Sequence, residues 1–157
     1  MTEKTTLIPH LACRNASAAI EFYKKAFDAE EIVVNRIPDG RVMHAALSID
    51  GAPLYLVEEF PEHGSNSPLT LGGTPVSLHL QVPNCDAVFA RAVEAGCTVR
   101  LPLQDMFWGD RYGMVVDPYG HVWSIATNKR EVSAQELAQA FAAMSGEACP
   151  ESDAKLP

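Results

Sequence analysis

Histidine is the residue of this chain best suited to chemistry near neutral pH, because imidazole can exchange a proton, form hydrogen bonds or bind a metal ion. The sequence has five histidines, and two of them, His10 and His79, lie in strand-like segments that directly precede a predicted helix. Glu58 ends another such segment, and an apolar pocket would raise its pKa and suit it to general base catalysis. We therefore treat these three as candidate catalytic residues. The alternative is structural: hydrogen-bonded imidazoles and a solvated carboxylate at the end of a strand.

The two histidines are related by an internal repeat. Residues 10–15 read HLACRN, and residues 79–84 read HLQVPN. A helical pattern of apolar residues follows each segment. The turn glycines Gly51 and Gly120 are separated by the same offset as His10 and His79, so the repeat extends to the last hairpin of each copy.

Each copy of the repeat predicts the element order β-α-β-β-β. Alternating residues indicate the first strand, and Asp-Gly and Pro-containing turns separate the last three. Asn15 is predicted to cap the first helix, and Gly96 to end the second. The sequence thus predicts an α+β fold of two tandem βαβββ modules around a shared cavity, plus a C-terminal helix.

The predicted segments form a single domain with two appended pieces. The connector between the modules is rich in Pro, Gly, Ser and Asn, which favours an irregular path over the surface. Ser133 and Glu136 form a capping-box pattern before an apolar stripe, which predicts a helix that buries this stripe on the body or on a partner. The boundaries are 5–128 for the domain, 5–58 for module one, 59–75 for the connector, 76–128 for module two, 133–145 for the C-terminal helix and 146–157 for a flexible tail.

Composition limits the classes of partner. The 157 residues carry a formal charge of −8, from 12 Lys and Arg against 20 Asp and Glu. Binding to nucleic acid needs clustered basic side chains, which the sequence lacks, so nucleic acid is not an expected partner. No apolar run reaches the roughly 18 residues of a membrane span, and the N-terminus lacks the pattern of a secretory signal. We expect a cytoplasmic protein without a membrane partner.

Two motifs and one helix give the sequence a family resemblance. Residues 108–113 read WGDRYG, residues 117–123 read DPYGHVW, and the helix at 19–27 reads AIEFYKKAF. These strings resemble the vicinal oxygen chelate superfamily, and within it the glyoxalase and bleomycin-resistance proteins of the PhnB-like kind. The resemblance implies paired βαβββ modules around a concave pocket, in a homodimer. In metal-using members a divalent ion in that pocket acts as a Lewis acid on two neighbouring substrate oxygens.

The resemblance also places the metal ligands of those members at four positions of this chain. The residues there are Ile8, Tyr55, Ser77 and Ser124. Isoleucine has no lone pair, and neutral hydroxyls are poor ligands without imidazole or carboxylate partners. We therefore expect no metal cofactor.

A displaced metal site is the alternative. His10 and His79 each lie two residues beyond a lost ligand position, so strand alternation puts them on the same face as that position. With Glu58 or His44 they could form a displaced site of two histidines and a third ligand, holding Zn, Ni, Fe or Mn.

The aromatic loop at 106–112 is the second candidate region. Trp108 offers a flat apolar face with one polar tip, which suits a planar ligand. Asp110 and Arg111 are expected to hold the turn, although Arg111 could instead pair with a ligand anion. The predicted ligand pocket comprises His10, His44, Tyr55, Ser77, His79, Phe107, Trp108, Arg111, Trp123 and Ser124.

The sequence thus favours a protein that binds a small, planar or aromatic molecule without the usual metal of the family it resembles. The alternative is a glyoxalase-like lyase or isomerase, which would use a displaced metal or acid–base catalysis by His10, His79 and Glu58. A third possibility is that the pocket is small and that the chain serves mainly as a subunit of an assembly.

Overall fold

The computed structural model describes residues 4–144, so the tail predicted at 146–157 lies outside the described residues. Within them the chain folds into two four-stranded mixed sheets with helices, which confirms the predicted α+β fold of two βαβββ modules and a C-terminal helix. No helix in this range is long and apolar enough to cross a membrane.

The two modules have the same element order and the same sheet topology. Module one contains β1 (His10–Cys13), α1 (Ala16–Phe27), β2 (Glu30–Arg36), β3 (Val42–Ile49) and β4 (Ala52–Glu58), in the sheet order β1-β4-β3-β2. The connector contains a 3-10 turn (Pro61–His63) and α2 (Pro68–Leu71). Module two contains β5 (Ser77–Gln81), α3 (Cys85–Ala95), β6 (Thr98–Asp105), β7 (Asp110–Val116) and β8 (Val122–Asn128), in the order β5-β8-β7-β6; α4 (Ala134–Met144) follows.

Side-chain caps begin α1 and α3, as predicted for Asn15. Its Oδ1 accepts a hydrogen bond from the backbone N–H of Ala18 at 3.2 Å, and Asn84 Oδ1 accepts one from Ala87 at 3.1 Å. Gly96 ends α3 with a positive φ of 130°, which also confirms its prediction. Local capping therefore sets the direction in which each helix leaves its first strand.

The sequence repeat is also a repeat in strand register. His10 is paired with Tyr55 across β1 and β4, and His79 is paired with Ser124 across β5 and β8. Both members of the second pair follow the first pair by the offset of the repeat, so equivalent positions of the two modules occupy equivalent places in the two sheets.

Each sheet packs one face against the helices, and the opposite face is more exposed except along β8, where Ser124 and Ala126 are also buried. α1 packs on β3 and β4, α3 packs on β7 and β8, and the two helices pack against each other. Alternate strand residues lie under these helices, as Leu54 and Leu56 do in β4. We call the sheet faces opposite the helices the open faces. The largest fully buried side chains are Trp123, Tyr23, Ile20, Leu47, Leu56 and Ile125.

A buried carboxylate joins the two modules. Asp117, in the β7–β8 turn and 3% exposed, accepts hydrogen bonds through Oδ2 from the Tyr23 hydroxyl at 2.5 Å and from the Trp123 indole N–H at 2.9 Å. Burial and the neighbouring carboxylate raise the pKa of Tyr23 well above its ordinary value. The phenol therefore stays protonated and donates to Asp117, which links α1 of module one to module two.

The predicted loop at 106–112 is shorter than expected, because β7 already begins at Asp110. The turn contains only residues 106–109: Met106 donates its N–H to the Asp110 carbonyl at 2.7 Å, and Gly109 donates to the Met106 carbonyl at 3.0 Å. Residues 110–112 continue as strand because they pair with Asn128, Thr127 and Ala126 of β8.

The C-terminal helix begins at the predicted cap, where Ser133 Oγ accepts a hydrogen bond from the Glu136 N–H at 3.1 Å. Its apolar stripe is not buried on the body of the chain. Phe141 is 59% exposed and Met144 is 58% exposed, and the recorded ring contact of Phe141 is with Phe107 at 5.3 Å between centroids. The stripe is therefore available to a partner, the other expectation for this helix.

Candidate functional site

Three side chains form a compact group on the open face of the first sheet: His10, His44 and Tyr55. The adjacent residues Leu11 and Ala45 are buried, so strand alternation turns the three toward the open side. The ring centroids lie 4.8 Å apart for His44 and Tyr55, 5.9 Å for His10 and Tyr55, and 6.0 Å for His10 and His44, all edge to face. We call this group the imidazole cluster. It combines proton exchange and hydrogen bonding with flat apolar surface.

His79 occupies the equivalent place on the second sheet, and both of its ring nitrogens have protein partners. Nε2 lies 2.9 Å from Gln81 Oε1, and Nδ1 lies 2.8 Å from Ser124 Oγ. An amide oxygen only accepts, so Nε2 donates; in the neutral ring Nδ1 then accepts from the Ser124 hydroxyl. The ring of Tyr112 stacks beside His79 with centroids 6.2 Å apart. The orientation of His79 is therefore fixed by three neighbours.

A continuous row of rings extends from His79 to the C-terminal helix. Successive centroids lie 6.2 Å apart for His79 and Tyr112, 5.7 Å for Tyr112 and Trp108, 5.1 Å for Trp108 and Phe107, and 5.3 Å for Phe107 and Phe141. We call these five residues the aromatic row. Trp108 retains 36% exposure within it. Such a row provides flat apolar surface at a small cost in side-chain entropy, which is the kind of surface that binds planar molecules.

Arg111 was predicted to line the pocket, but its side chain pairs with two carboxylates outside the imidazole cluster and the aromatic row. Its Nε lies 3.0 Å from Asp86 Oδ1 on α3, and its Nη1 lies 3.2 Å from Asp105 Oδ1. Strand alternation places it on the helix side, whereas the next residue, Tyr112, joins the aromatic row. Asp110, the other residue expected to hold the turn, accepts a hydrogen bond through Oδ1 from Asn128 Nδ2 at 2.9 Å. Arg111 thus anchors β7 to α3.

Trp123 and Ser77 also differ from the rest of the predicted pocket. Trp123 belongs mainly to the core, where its ring lies 4.5 Å from that of Phe27, although it contributes to the wall of a cleft of about 200 Å³ that also contains His79. Ser77 is exposed at the start of β5 and is paired with Val122. Neither residue belongs to the imidazole cluster or the aromatic row.

Glu58 does not join the histidines, because it lies on the other side of its sheet. It is three residues beyond Tyr55 in β4 and is paired with Cys13, so alternation turns it toward α1. Its two carboxylate oxygens accept hydrogen bonds from the backbone N–H groups of Asn15 and Ala16, each at 2.8 Å. A carboxylate at this place satisfies the unpaired N–H groups of the helix and interacts favourably with its dipole.

The four positions of the implied metal ligands do not form a donor set for a divalent ion. Ile8 has no donor atom, Ser124 uses its hydroxyl on His79, and Ser77 and Tyr55 supply only neutral hydroxyls. Among residues 4–144, no three His, Cys, Asp or Glu side chains are grouped so that they could hold a metal ion.

The displaced arrangement of His10 with His79 also lacks direct support. Each histidine belongs to its own cluster, and no hydrogen bond or ring contact recorded for residues 4–144 joins them. Glu58, the carboxylate of that arrangement, lies on the helix side of its sheet.

Two contributors to these surfaces were missed by the sequence-based prediction. Gln81 follows His79 by two residues in a strand, so the alternation that placed His79 also places Gln81 on the open face. Phe141 carries no comparable signal, because its contact with Phe107 depends on how α4 folds back over the turn.

Comparison with known proteins adds family membership to this geometry. The chain is 48% identical over 138 residues to the uncharacterized protein Rv0887c of Mycobacterium tuberculosis (strain ATCC 25618 / H37Rv), an alignment that covers 86% of this chain and 81% of that protein. Among solved structures, TioX from Micromonospora sp. ML1 is 23% identical with a TM-score of 0.63, over 80% of this chain and 99% of TioX. The putative 3-demethylubiquinone-9 3-methyltransferase, PhnB protein, from Bacillus cereus is 21% identical with a TM-score of 0.60, over 80% and 99% of the two chains.

The two structural matches have low sequence identity, so they establish a shared fold rather than a shared activity. The family model described as Glyoxalase/Bleomycin resistance protein/Dioxygenase superfamily matches residues 7–125, a range that contains most of both βαβββ modules. The chain therefore belongs to the glyoxalase/bleomycin resistance protein/dioxygenase superfamily, the vicinal oxygen chelate proteins.

Proposed function

We propose that this protein binds a small planar molecule against the open face of its second sheet, with the aromatic row as the main contact surface. The observation that carries this proposal is the unbroken series of ring contacts from His79 to Phe141, with Trp108 partly exposed in its middle. Ligand sites are mostly apolar surfaces with a few well-placed polar groups. Here the side-chain amide of Gln81, whose Oε1 accepts from His79 at one end of the row, supplies such a group through its nitrogen.

We further propose that binding requires no metal ion. The support is the chemistry of the residues: an isoleucine and three neutral hydroxyls stand where metal-using members of the family have their ligands. His79 would have to give up its hydrogen bond to Ser124 or to Gln81 before it could bind a metal. The family description names resistance proteins beside glyoxalases and dioxygenases, so membership by itself is compatible with either binding or catalysis.

Acid–base catalysis is the second candidate, and one observation favours it. No side-chain hydrogen bond is recorded for His10, His44 or Tyr55 within residues 4–144, so their polar atoms are available to a substrate. A lyase or isomerase reaction needs a group that removes a proton and a group that donates one, and two imidazoles beside a phenol supply both. This version of the enzyme hypothesis uses the imidazole cluster instead of His79 and Glu58.

We also propose that the protein is a homodimer. Phe141 and Met144 on α4 are more than half exposed, and Ile32 on β2 and Met43 on β3 are exposed as well. A partner that covered these side chains would remove their apolar surface from water, which favours association. A second copy of the chain supplies that cover in the proposal, and a cytoplasmic location stays a prediction from the sequence.

Native mass spectrometry of freshly purified, untagged protein tests these proposals together, because it reports bound metal, bound ligand and subunit number. We expect a dimer without stoichiometric metal that retains added planar aromatics such as 2-naphthol or acridone. The variant Trp108→Ala should retain less of them, and Val99→Ala, an exposed apolar residue outside the aromatic row, should behave as wild type. A metal-loaded protein, or equal retention by Trp108→Ala, would contradict the proposed binding mode. A species of about 17 kDa, the mass of one chain, would contradict the dimer.

A further inference from the structure

A second cavity, distinct from the aromatic row, lies where the two modules meet. It has a volume of about 290 Å³, close to the lower end of the roughly 300–1,000 Å³ of small-molecule sites. Its walls come from β1, from the start of β5, from the connector and from the β7–β8 turn. We call it the seam cavity.

Most of the seam cavity is apolar. Pro9, Leu11, Pro68, Leu71 and Leu78 line it, and the connector residues from Gly73 to Val76 close one side. The polar groups are few: the imidazoles of His10 and His121, the Asn66 amide and the Thr74 hydroxyl. This composition suits a compact, uncharged ligand with a single polar group.

His121 brings a hydrogen-bond acceptor to the cavity. The residue is 8% exposed, and its Nε2 lies 3.1 Å from the backbone oxygen of Ala12 and 3.7 Å from Cys13 Sγ. A carbonyl oxygen only accepts, so Nε2 carries the proton, and in the neutral ring Nδ1 is an acceptor. No hydrogen bond to Nδ1 is recorded within residues 4–144, whereas the backbone N–H of His121 is held by Asp117 Oδ1 at 3.0 Å. The ring is thus fixed in place with one nitrogen available to a donor.

The internal repeat shows that the fold itself does not require this histidine. Gly51 and Gly120 are equivalent turn glycines, and the residue after each is Ala52 in module one and His121 in module two. Ala52 lines the cleft of about 200 Å³ that is equivalent to the seam cavity under the repeat, with Leu78 and Leu80 opposite. The same turn therefore folds with alanine in one module, and the imidazole is an addition to the other.

We propose that the seam cavity is a binding site for a small phenol. The phenol hydroxyl donates a hydrogen bond to His121 Nδ1, and the ring packs among the leucine and proline side chains. An aromatic ring matches the apolar walls and can contact the His10 ring at the edge of the cavity. This site is independent of the aromatic row, because none of the five residues of that row lines it.

The probe pair p-cresol and 4-methylanisole tests the proposal, since the two differ in whether the oxygen can donate a hydrogen bond. In ¹H–¹⁵N NMR spectra of the wild-type protein, p-cresol should give saturable shifts at the amides of Ala12, Leu78 and His121. The ether should bind about fivefold more weakly, the effect of losing one neutral hydrogen bond. Shifts centred on His44 or Tyr112, or no saturable shifts, would overturn the site.

Different variants test the cavity and the hydrogen bond to His121 separately. Thr74→Trp should fill the cavity and abolish the shifts, whereas Val99→Trp, at an exposed position outside it, should leave them unchanged. His121→Ala gives module two the residue that module one already has, and it should remove the preference for p-cresol over the ether. A preference that survives in His121→Ala would overturn the role of His121, and binding that survives in folded Thr74→Trp would overturn the cavity. Neither result bears on ligand retention by the aromatic row.

Discussion

Ser124 and His79 are paired across β8 and β5, and the serine Oγ lies 2.8 Å from the histidine Nδ1. The family resemblance implies a metal ligand at Ser124 in metal-using members, whereas in this structure the Ser124 hydroxyl is directed at an imidazole. The equivalent pair of the first module, His10 and Tyr55, is also aromatic and polar. Equivalent positions of the two modules are therefore paired in the same register, and both pairs contain a histidine.

Replacing Ser124 should change His79 without changing the metal content. In Ser124→Ala the Nδ1 atom loses its partner, so we expect a loss of about 1 kcal/mol in the free energy of unfolding. Elemental analysis of untagged wild-type and variant protein should find less than ~0.1 equivalent of Zn, Ni, Fe or Mn in both. Stoichiometric metal in the wild type that disappears in His79→Ala would show that His79 is a ligand after all.

Asp117 should be among the most sensitive positions for stability. Asp117→Asn replaces a buried carboxylate whose Oδ2 accepts from Tyr23 and Trp123 and whose Oδ1 accepts from two backbone N–H groups of the turn. An amide has only one oxygen, so two of these four donors lose their acceptor. We expect a loss of about 2–4 kcal/mol in chemical denaturation. Asp110→Asn, at a part-exposed carboxylate with one side-chain partner, is the matched control and should lose less than about 1 kcal/mol. Equal losses of unfolding free energy in the two variants would contradict a special contribution of Asp117 to stability.

Protonation of Glu59 should lower the stability of the folded protein in acid. Its carboxylate accepts hydrogen bonds from the Ser67 N–H and the Thr70 hydroxyl and pairs with Arg14, which lowers its pKa from 4.5 to about 2. A carboxyl whose pKa is lower in the folded state stabilises the protein above its unfolded pKa, so this contribution is present above pH 4.5 and is lost as the pH falls toward 2.

The measurement is urea denaturation from pH 6 to pH 2.5 for the wild type, Glu59→Gln and Glu62→Gln. The difference in unfolding free energy between the wild type and Glu59→Gln should shrink as the pH falls. Glu62, which is exposed and forms a longer ion pair of 3.7 Å with Arg41, should show a smaller change. A difference that is independent of pH would contradict the assignment of acid sensitivity to Glu59.

Local rules were sufficient for much of the fold. The constant offset between the two copies could be found in the sequence because equivalent strands bear equivalent residues. In the structure the same offset relates the pairing partners of His10 and His79, Tyr55 and Ser124. Asn15 and Gly96 were recognisable because capping depends on one residue and the helix next to it. These features require no knowledge of how the two modules pack together.

The site residues that were misplaced have two different causes. Glu58 was grouped with His10, although its position three residues beyond Tyr55 already implied the opposite face by strand alternation. Arg111 pairs with Asp86 on another element, distant in the sequence, so only the packing of α3 on β7 reveals the contact. Trp123 resembles a pocket aromatic in sequence, but the buried Asp117 draws its indole N–H into the core. The positions of Arg111 and Trp123 thus depend on tertiary contacts, which a single sequence does not reveal.

The most direct test of the central claim is the affinity of a planar probe, 2-naphthol, for protein treated with EDTA, measured by isothermal titration calorimetry. We predict the same Kd before and after treatment, no change in Val99→Ala, and a Kd about tenfold weaker in Trp108→Ala, since one aromatic contact contributes about 1.4 kcal/mol. Loss of binding after EDTA treatment, or an unchanged Kd in Trp108→Ala, would contradict metal-free binding on the aromatic row.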